Sequence, residues 1–280
     1  MGSLCLGCKV NWSLRVLGRR EDGFHELRSW FVRLDGGDRL AWQEGSTGLN
    51  LAGSDGEGVP QDSSNLVLRA DAAWRAAGGV APTWAWTLEK RLPPGSGLGA
   101  GSADAAGVLR VLEATSSRPL GRDRCLELAL ELGSDVPFFL MDAPAVLLGG
   151  RGERVLAEAE PQLESIVVVL PQVHASTPQV FAALGAPEFH PAPEPAGSER
   201  FPPQPSGNEL EAAALQANPA LAAVRTQLHG FAPFQLSGSG AAWFHPCTDE
   251  EAASLLHQLH IAGYRAQLHR VLREPQEVQA

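Results

Sequence analysis

The most informative stretch of the chain reads Pro93-Pro94-Gly95-Ser96-Gly97-Leu98-Gly99-Ala100-Gly101-Ser102-Ala103. Its glycines remove side chains from a turn, so that backbone N–H groups can converge on an anion. A helix predicted over 103–114 follows directly, and Ser102 stands where its N-cap is expected. The positive end of the helix dipole adds to the attraction for an anion. We interpret the stretch as a phosphate-binding loop, because a flexible linker does not usually run into a capped helix.

Three common phosphate loops differ from this stretch. Gly95 to Ala100 matches the loose dinucleotide pattern, but Glu113, at the distance of a ribose-binding acid, lies inside the predicted helix. A P-loop needs Gly-Lys followed by serine or threonine, and no lysine follows Gly101. A protein-kinase loop requires downstream His-Arg-Asp and Asp-Phe-Gly motifs, and the sequence contains neither.

Composition excludes several classes of protein. The chain has 280 residues, 44% of them hydrophobic and 19% charged, so it can bury a sizeable core and is not wholly disordered. The formal net charge of −10 argues against a general nucleic-acid-binding surface, so any phosphate recognition is local. Only two of the 22 basic residues are lysines, Lys9 and Lys90. Both merit attention beside the alternative of chance survival on the surface.

The cysteines and the hydropathy pattern predict no metal site and no membrane partner. Cys5 and Cys8 form a lone Cys-x-x-Cys, whereas a zinc site needs four ligands, so we interpret the thiols as incidental. The N-terminus lacks a basic stretch followed by an apolar core, and no apolar run reaches about 18 residues. We therefore expect a cytoplasmic protein.

Periodicity predicts a mixture of strands and helices. The first ninety residues read mainly as strands and turns. Further predicted helices lie at 65–77, 123–132, 209–217, 219–228 and 250–262, and strands at 81–88, 166–170, 235–244 and 266–271. We predict two domains, 1–158 and 159–280, the second with a proline-rich loop over 185–207.

Several segments together resemble the GHMP small-molecule kinases. Residues 94–102 resemble their Pro-x-x-x-Gly-Leu-Gly-Ser-Ser motif, residues 236–241 their C-terminal glycine motif, and residues 8–14 their N-terminal Ala-Lys-hydrophobic-Asn-Leu segment. Members that act on a cytidine-diphosphate-bearing alcohol are similar in four more segments: Arg20-Glu-Asp-Gly-Phe-His-Glu-Leu27, Leu132-Gly-Ser-Asp-Val-Pro-Phe138, Ser176-Thr-Pro-Gln-Val-Phe181 and Asn208-Glu-Leu-Glu211. The chain departs from the family pattern at Cys8, Phe24, Ala100 and Ala103.

The resemblance implies an α+β, two-domain GHMP kinase fold. Its N-terminal domain would be like ribosomal protein S5 domain 2 and its C-terminal domain ferredoxin-like, with the substrates in the cleft between them. A monomer or weak homodimer is expected, with no nucleic-acid partner.

The resemblance also implies the reaction and its residues. Asp135 would be the catalytic aspartate, acting as a base or as an electrostatic stabiliser, with a turn aspartate as the alternative. Lys9 would face it and the reacting oxygen, with a strand-edge surface lysine as the alternative. The co-substrate ATP would be cradled by Pro93, Pro94, Gly95, Ser96, Gly97, Leu98, Gly99, Ala100, Gly101, Ser102 and Ala103. Mg²⁺ would bridge the phosphates, held mainly by them and by water, with Ser102 or Ser134 as helpers.

Three neighbours of the ATP loop carry weaker expectations. Lys90 either reaches the nucleotide or is simply solvated. Asn65 and Leu66 are expected near the adenine.

The second substrate would carry a cytidine diphosphate group. The resemblance places Phe24 and Phe181 on the two faces of cytosine and His25 at its polar edge. Asn11 and Thr177 would contact the sugar or phosphate regions. Ordinary core packing is the alternative for both phenylalanines.

Two other functions stay open at this point. The chain could be another kinase of the superfamily, acting on homoserine or mevalonate, and the block Asp22-Gly-Phe-His25 argues against that. It could also be an inactive nucleotide-binding regulator, and the presence of Lys9 and Asp135 argues against that. Turnover of ATP with a cytidine-bearing substrate would separate the three.

Overall fold

The computed structural model describes residues 1–163, 165–189, 200–274 and 278. The strands are β1 Gly2–Cys5, β2 Cys8–Arg19, β3 His25–Leu34, β4 Arg39–Glu44, β5 Gly48–Ala52, β6 Trp84–Glu89, β7 Ala145–Gly150, β8 Arg154–Ala159, β9 Ser165–Val169, β10 Gln235–Leu236, β11 Trp243–Cys247 and β12 Ala266–His269. The helices are α1 Leu66–Ala76, α2 Ala100–Ala114, α3 Arg122–Leu132, α4 Thr177–Ala183, α5 Glu211–Ala217, α6 Pro219–Leu228 and α7 Asp249–Ile261. This arrangement confirms the predicted α+β class. Among the residues that the structure describes, none of the helices has the length and apolarity that a membrane span requires.

The first sheet, in the order β1-β4-β6-β5, shares a hydrophobic core with α1, α2 and α3. Its strands pair antiparallel except for β5 with β6. On β6 the predicted alternation is confirmed, because Trp84, Trp86 and Leu88 are at most 8% exposed and the residues between them are half-buried.

The second sheet, in the order β2-β3-β7-β8, is antiparallel throughout. Strands β7 and β8 were not predicted. Every residue of β7 is buried, because Val146 and Leu148 face the core of the first sheet while Ala145 and Leu147 face the opposite side. A strand buried on both faces carries no alternating pattern, so periodicity gave no signal for it.

The third sheet, in the order β10-β11-β9-β12, packs against α4 to α7 on one face and against the second sheet on the other. Strand β9 shows why. Val167 and Val169 belong to the hydrophobic core that the third sheet shares with α4 to α7. Ile166 and Val168 point to the other face and share a hydrophobic cluster with Val10 of β2. This packing holds the third sheet directly against the strand that carries Lys9.

The structure describes only the two ends of the predicted proline-rich loop. Residues 190–199 of the loop lie outside the described residues. Its described ends run along β2, where the Arg19 N–H donates to the Pro187 carbonyl at 2.7 Å and the Leu14 N–H to that of Gly207 at 3.0 Å. The division between 158 and 159 falls next to the end of β8 and stays a prediction.

Helix α2 begins three residues earlier than predicted. Gly99 is its N-cap, with φ of 69°, and the Gly99 carbonyl accepts the N–H of Ala103 at 2.9 Å. Ser102 therefore lies in the first turn, and its predicted N-cap role is wrong. The left-handed backbone of Gly99 turns the chain sharply enough to start the helix without a side-chain cap.

A buried ionic cluster holds both ends of the glycine-rich loop. Lys90 is 3% exposed, and its ammonium pairs with Asp38 and, at 3.0 Å, with Asp104 of α2. The other oxygen of Asp38 accepts the N–H groups of Arg91 and Leu92, at 2.6 and 3.1 Å. Solvation of Lys90 is thus wrong, and its contact with the nucleotide stays a prediction.

The charges of this cluster depend on one another. Burial favours the neutral form of Lys90, but the carboxylates of Asp104 and Asp38 outweigh it and raise the pKa of the ammonium. Burial raises the pKa of Asp104 to about 8, against the attraction of Lys90 and with the repulsion of Asp38. Lys90 therefore stays charged, and removing it leaves two carboxyl groups facing each other without a cation.

We predict that Lys90→Met lowers the free energy of unfolding by about 3–5 kcal/mol, the range for breaking a buried ion pair. The matched control is Arg91→Met, because the Arg91–Glu89 pair is about 40% exposed and contributes at most about 1 kcal/mol. Chemical denaturation followed by circular dichroism measures both. Equal losses in the two variants would contradict the assignment of Lys90 to a structural cluster.

Candidate active site

Strand β2 brings two buried polar side chains to one face. Lys9 and Asn11 are two residues apart, so they point the same way, and they are 4% and 3% exposed. The Lys9 ammonium donates to the Asn11 side-chain carbonyl at 2.6 Å, and the Asn11 amide donates to the Ser29 hydroxyl at 2.9 Å. The ring of Phe31 lies 4.8 Å from the same ammonium. A surface position for Lys9 is therefore wrong.

Asp135 lies opposite this ammonium. It follows the end of α3 at Gly133 and precedes a short 3₁₀ turn, Pro137–Leu140. One of its oxygens is 3.6 Å from the Lys9 nitrogen, and its side chain is 31% exposed. Burial lowers the pKa of Lys9, while the carboxylate of Asp135 acts in the other direction. The pair thus joins a buried cation to a carboxylate that a ligand can reach.

The glycine-rich loop approaches the third sheet at backbone distance. Gly95, Gly97 and Gly99 all have positive φ, between 69° and 79°. A Cβ atom on Gly97 would overlap the carbonyl of Ser237, and one on Gly99 would come within 3.1 Å of Lys9. Side chains at these positions would separate the loop from the elements beneath it.

The second glycine turn, residues 237–241, receives this loop. The Ser237 hydroxyl donates to the Gly97 carbonyl at 3.0 Å, and the Ala242 N–H donates to the Ser96 carbonyl at 2.9 Å. Asn208 holds the turn from behind, because its amide donates to the carbonyls of Leu236 and Gly238 at 2.9 and 2.7 Å. Sequence reasoning quoted both segments but assigned no role to Ser237 or Asn208.

Two cavities meet at Asp135. The inner one is lined by Lys9, Asn11, Gly97, Gly99 and Gly238. The outer one, with a volume of about 880 Å³, is lined by Phe24, His25, Ser134 and Pro178. Five residues line both cavities: Leu27, Asp135, Arg151, Thr177 and Phe181. All five predicted substrate residues and both predicted catalytic residues therefore lie in one continuous depression.

The outer cavity brings together Phe24, His25 and Phe181, and their placement around a cytosine ring stays a prediction. His25, not Phe24, stacks on Phe181, with ring centroids 4.9 Å apart and planes at 29°. Phe24 is 51% exposed, so core packing is wrong for it, and the Arg151 guanidinium lies 4.5 Å from its ring centroid. Burial and the nearby Arg19 lower the pKa of His25, which favours a neutral ring with one donor and one acceptor.

The remaining expected neighbours of the nucleotide have structural partners. Asn65 caps α1, because its side-chain carbonyl accepts the Val67 N–H at 2.9 Å and its amide donates to the Pro60 carbonyl at 2.7 Å. Leu66 lies beside the first turn of α2, 3.6 Å from where a Cβ atom on Gly101 would stand. Contact of Asn65 and Leu66 with adenine stays a prediction. The Thr177 and Ser239 hydroxyls are hydrogen-bonded at 2.7 Å.

Comparisons with known proteins agree with this geometry. Residues 65–150 match the model of the GHMP kinases N terminal domain. The chain is 36% identical to a 4-diphosphocytidyl-2-C-methyl-D-erythritol kinase of Rhodopseudomonas palustris, over 88% of each chain. It is also 36% identical to the protein of that name from an Azoarcus species, over 92% of this chain and 89% of the relative.

Solved structures confirm the fold. A crystal structure of 4-(cytidine 5'-diphospho)-2C-methyl-D-erythritol kinase matches with a TM-score of 0.76 and 33% identity, over 95% of this chain and 98% of the other. A homoserine kinase from Cytophaga hutchinsonii matches with a TM-score of 0.66 but only 15% identity, over 100% of this chain and 98% of the other, so it shares the fold alone. The predicted GHMP kinase fold and family are confirmed, and the chain belongs to the 4-diphosphocytidyl-2-C-methyl-D-erythritol kinase family.

Proposed function

We propose that the chain transfers the γ-phosphate of ATP to the 2-hydroxyl of 4-diphosphocytidyl-2-C-methyl-D-erythritol, a step of the non-mevalonate route to isoprenoid precursors. The observation that carries the proposal is the Lys9–Asp135 pair, 3.6 Å apart where the inner and outer cavities meet. The glycine-rich loop lies on one side of this pair and an aromatic pocket on the other. ATP turnover with this substrate, measured as ADP release, is the direct test.

The pair handles the acceptor hydroxyl. As the oxygen bonds to the γ-phosphorus, its O–H bond breaks, the proton moves to Asp135 and ADP leaves with the electrons of the broken P–O bond. Lys9 stabilises the negative charge that develops on the attacking oxygen. Its hydrogen bond to Asn11, and that of Asn11 to Ser29, fix the ammonium so that little reorganisation is needed during transfer.

The loop from Pro93 to Ala103 binds the phosphates of ATP. Its backbone is fixed by contacts with Ser237 and Ala242, and α2 directs the positive end of its dipole into the same region. Among the described residues there is no group of three or more His, Cys, Asp or Glu side chains that could hold a metal alone. Asp135, which lines both cavities, and Ser134, which lines the outer one, offer the oxygen donors that Mg²⁺ prefers; together with Ser102 they would help to hold an ion bound mainly by phosphate oxygens and water. When bound, Mg²⁺ supplies charge neutralisation of the transferring phosphate.

The outer cavity binds the cytidine end of the acceptor. Phe181 and the half-exposed Phe24 offer aromatic faces for stacking, and the neutral ring of His25 offers hydrogen bonds to the base edge. The base has to displace the His25–Phe181 stack to lie on Phe181. Asn11 and Thr177 lie along the way to Asp135, in reach of sugar and phosphate groups.

We predict that Gly99→Val weakens ATP binding by at least about tenfold, the scale of one lost charge-assisted hydrogen bond. The added side chain meets Lys9 and Phe139 at 3.1 Å and strains a backbone with φ of 69°. Gly263→Val is the matched control, because Gly263 has φ of 83° and open space around it. Calorimetry with ATP measures both variants. Unchanged ATP affinity in the correctly folded Gly99 variant would exclude the phosphate-loop assignment.

We expect Asp135→Asn to lower kcat by at least about 100-fold, because it keeps the size of the side chain but removes the proton acceptor. ATP affinity should persist, since the loop is held by other residues. The control is Asp142→Asn, whose carboxylate is 71% exposed and pairs with Arg122 at 2.9 Å. Steady-state kinetics decide. Near-normal turnover in the Asp135 variant would show that this residue is merely part of the turn.

Recognition of the base predicts a third result. Stacking on an aromatic ring contributes ~1–3 kcal/mol per base, so Phe181→Ala should raise KM for the cytidine substrate about 5- to 150-fold and leave KM for ATP unchanged. The uridine analogue should be a much poorer substrate, because uracil exchanges donor and acceptor at the base edge. His25→Ala should reduce the difference in kcat/KM between the cytidine and uridine substrates, by lowering activity on the cytidine form.

The measurement is kcat/KM for both analogues in the wild type, Phe181→Ala and His25→Ala. Phe231→Ala serves as control, since Phe231 packs in the third-sheet core and lines neither cavity. Equal values for the two bases in the wild type would contradict cytidine recognition and leave a small-molecule kinase with another acceptor.

A further inference from the structure

The turn between β7 and β8 places an arginine at the junction of the two cavities. The turn reads Gly149-Gly150-Arg151-Gly152, and the Gly152 N–H donates to the Gly149 carbonyl at 3.1 Å. Gly150 and Gly152 have φ of 72° and 120°. Two flanking glycines in left-handed conformations make a tight turn with Arg151 as its only bulky side chain.

This turn is fixed against the catalytic loop. The Gly150 N–H donates to Glu26 at 3.1 Å, and the Arg151 N–H donates to Glu153 at 2.5 Å. A Cβ atom on Gly152 would stand 3.2 Å from the carbonyl oxygen of Ser134, the residue before Asp135. The base of Arg151 is thus held beside the proposed proton acceptor by backbone contacts.

Within the part of the chain that the structure describes, the Arg151 guanidinium lacks a carboxylate partner, unlike those of Arg20 and Arg154. Arg20 and Arg154 pair with Glu26, at 2.9 and 3.4 Å. Within the described ranges, no carboxylate oxygen lies within 4.0 Å of the Arg151 guanidinium, which instead lies 4.5 Å from the ring centroid of Phe24. Stacking on a ring uses the π face of the guanidinium and leaves its in-plane N–H donors available to an anion.

The position of this cation matches one part of the proposed acceptor. A cytidine diphosphate ester of an erythritol has its diphosphate between the base and the reacting hydroxyl. Phe24 and His25 line only the outer cavity and Lys9 only the inner one, whereas Arg151, like Asp135, Thr177 and Phe181, lines both. Arg19 lines only the outer one.

We propose that Arg151 binds the diphosphate of the acceptor substrate and so selects a diphosphate ester over an uncharged cytidine derivative; this rests on the function proposed above. The planar guanidinium donates two N–H groups to phosphate oxygens while its face stays on Phe24. One residue thereby links the base pocket to the catalytic pair. Its charge also offsets the repulsion between the diphosphate and the carboxylate of Asp135.

Calorimetry on the full chain tests this with CDP and cytidine as probes, each titrated with a non-hydrolysable ATP analogue already saturating the nucleotide site. Arg151→Ala should weaken CDP binding about 10- to 100-fold and cytidine binding less than about threefold. Arg151→Lys should fall between the wild type and Arg151→Ala, because it keeps the charge and loses the paired donors. The control is Arg124→Ala, whose guanidinium pairs with Glu127 on the exposed side of α3.

The outcomes separate the two proposals. Equal weakening of CDP and cytidine in Arg151→Ala would show that the residue only supports Phe24, and no weakening would show that it does not touch the ligand; either result overturns the inference while leaving the kinase activity in place. A wild type that transfers no phosphate to the cytidine substrate and does not bind CDP would overturn the proposed function as well. Thermal unfolding of each variant confirms that the folded chain is being compared.

Discussion

The candidate active site depends on the close approach of two backbone turns, the glycine-rich loop and the turn at 237–241. The Ser237 hydroxyl and the Ala242 N–H donate to the carbonyls of Gly97 and Ser96, and these bonds require the two backbones to approach without side chains between them. The same turn contacts β2, where the Asn11 N–H donates to the Ser237 hydroxyl at 3.3 Å. Because Lys9 lies two residues from Asn11 on β2, the contact that positions the glycine-rich loop also positions the ammonium that we propose stabilises the attacking oxygen. A separation of the two turns would therefore disturb the proposed ATP site and the Lys9–Asp135 pair together.

The other side of the loop is held by charge instead of backbone contact. The pairs of Lys90 with Asp38 and Asp104 join the end of β6, the turn before β4 and the start of α2. The glycine-rich loop begins shortly after Lys90 and ends in the first turn of α2, shortly before Asp104. The Lys90 ammonium therefore fixes both ends of the loop. Such a cluster contributes little net stability compared with apolar packing, but it tolerates few alternative arrangements. We interpret it as a device that specifies the loop geometry.

Local sequence signals predicted what depends on local physics. The alternation of β6, the helices before and after the glycine-rich stretch, and the bounds of α6 at Pro219–Leu228 all follow from neighbours in the chain. Strand β7 could not be predicted, because burial on both faces removes alternation. The role of Lys90 could not be predicted either, since Asp38 is 52 residues away. For the site, the motifs indicated Lys9 and Asp135. They did not indicate Arg151, because its position beside the site depends on the β7–β8 turn packing against Ser134, which is distant in sequence.

Both lysines of the chain are buried cations, whereas all the other basic residues are arginines. Both are nearly inaccessible, at 4% and 3% exposure, and both contact groups on more than one side. A compact ammonium donates in three directions, whereas a guanidinium is a wider planar fork. Two glycine backbones approach Lys9 closely, because Cβ atoms on Gly238 and Gly99 would come within 3.5 Å of its nitrogen and 3.1 Å of its side chain. The glycines of the two turns thus also define the shape of the space around Lys9. Arg151, at the open junction of the cavities, meets no such restriction, and there the planar group can lie on an aromatic ring.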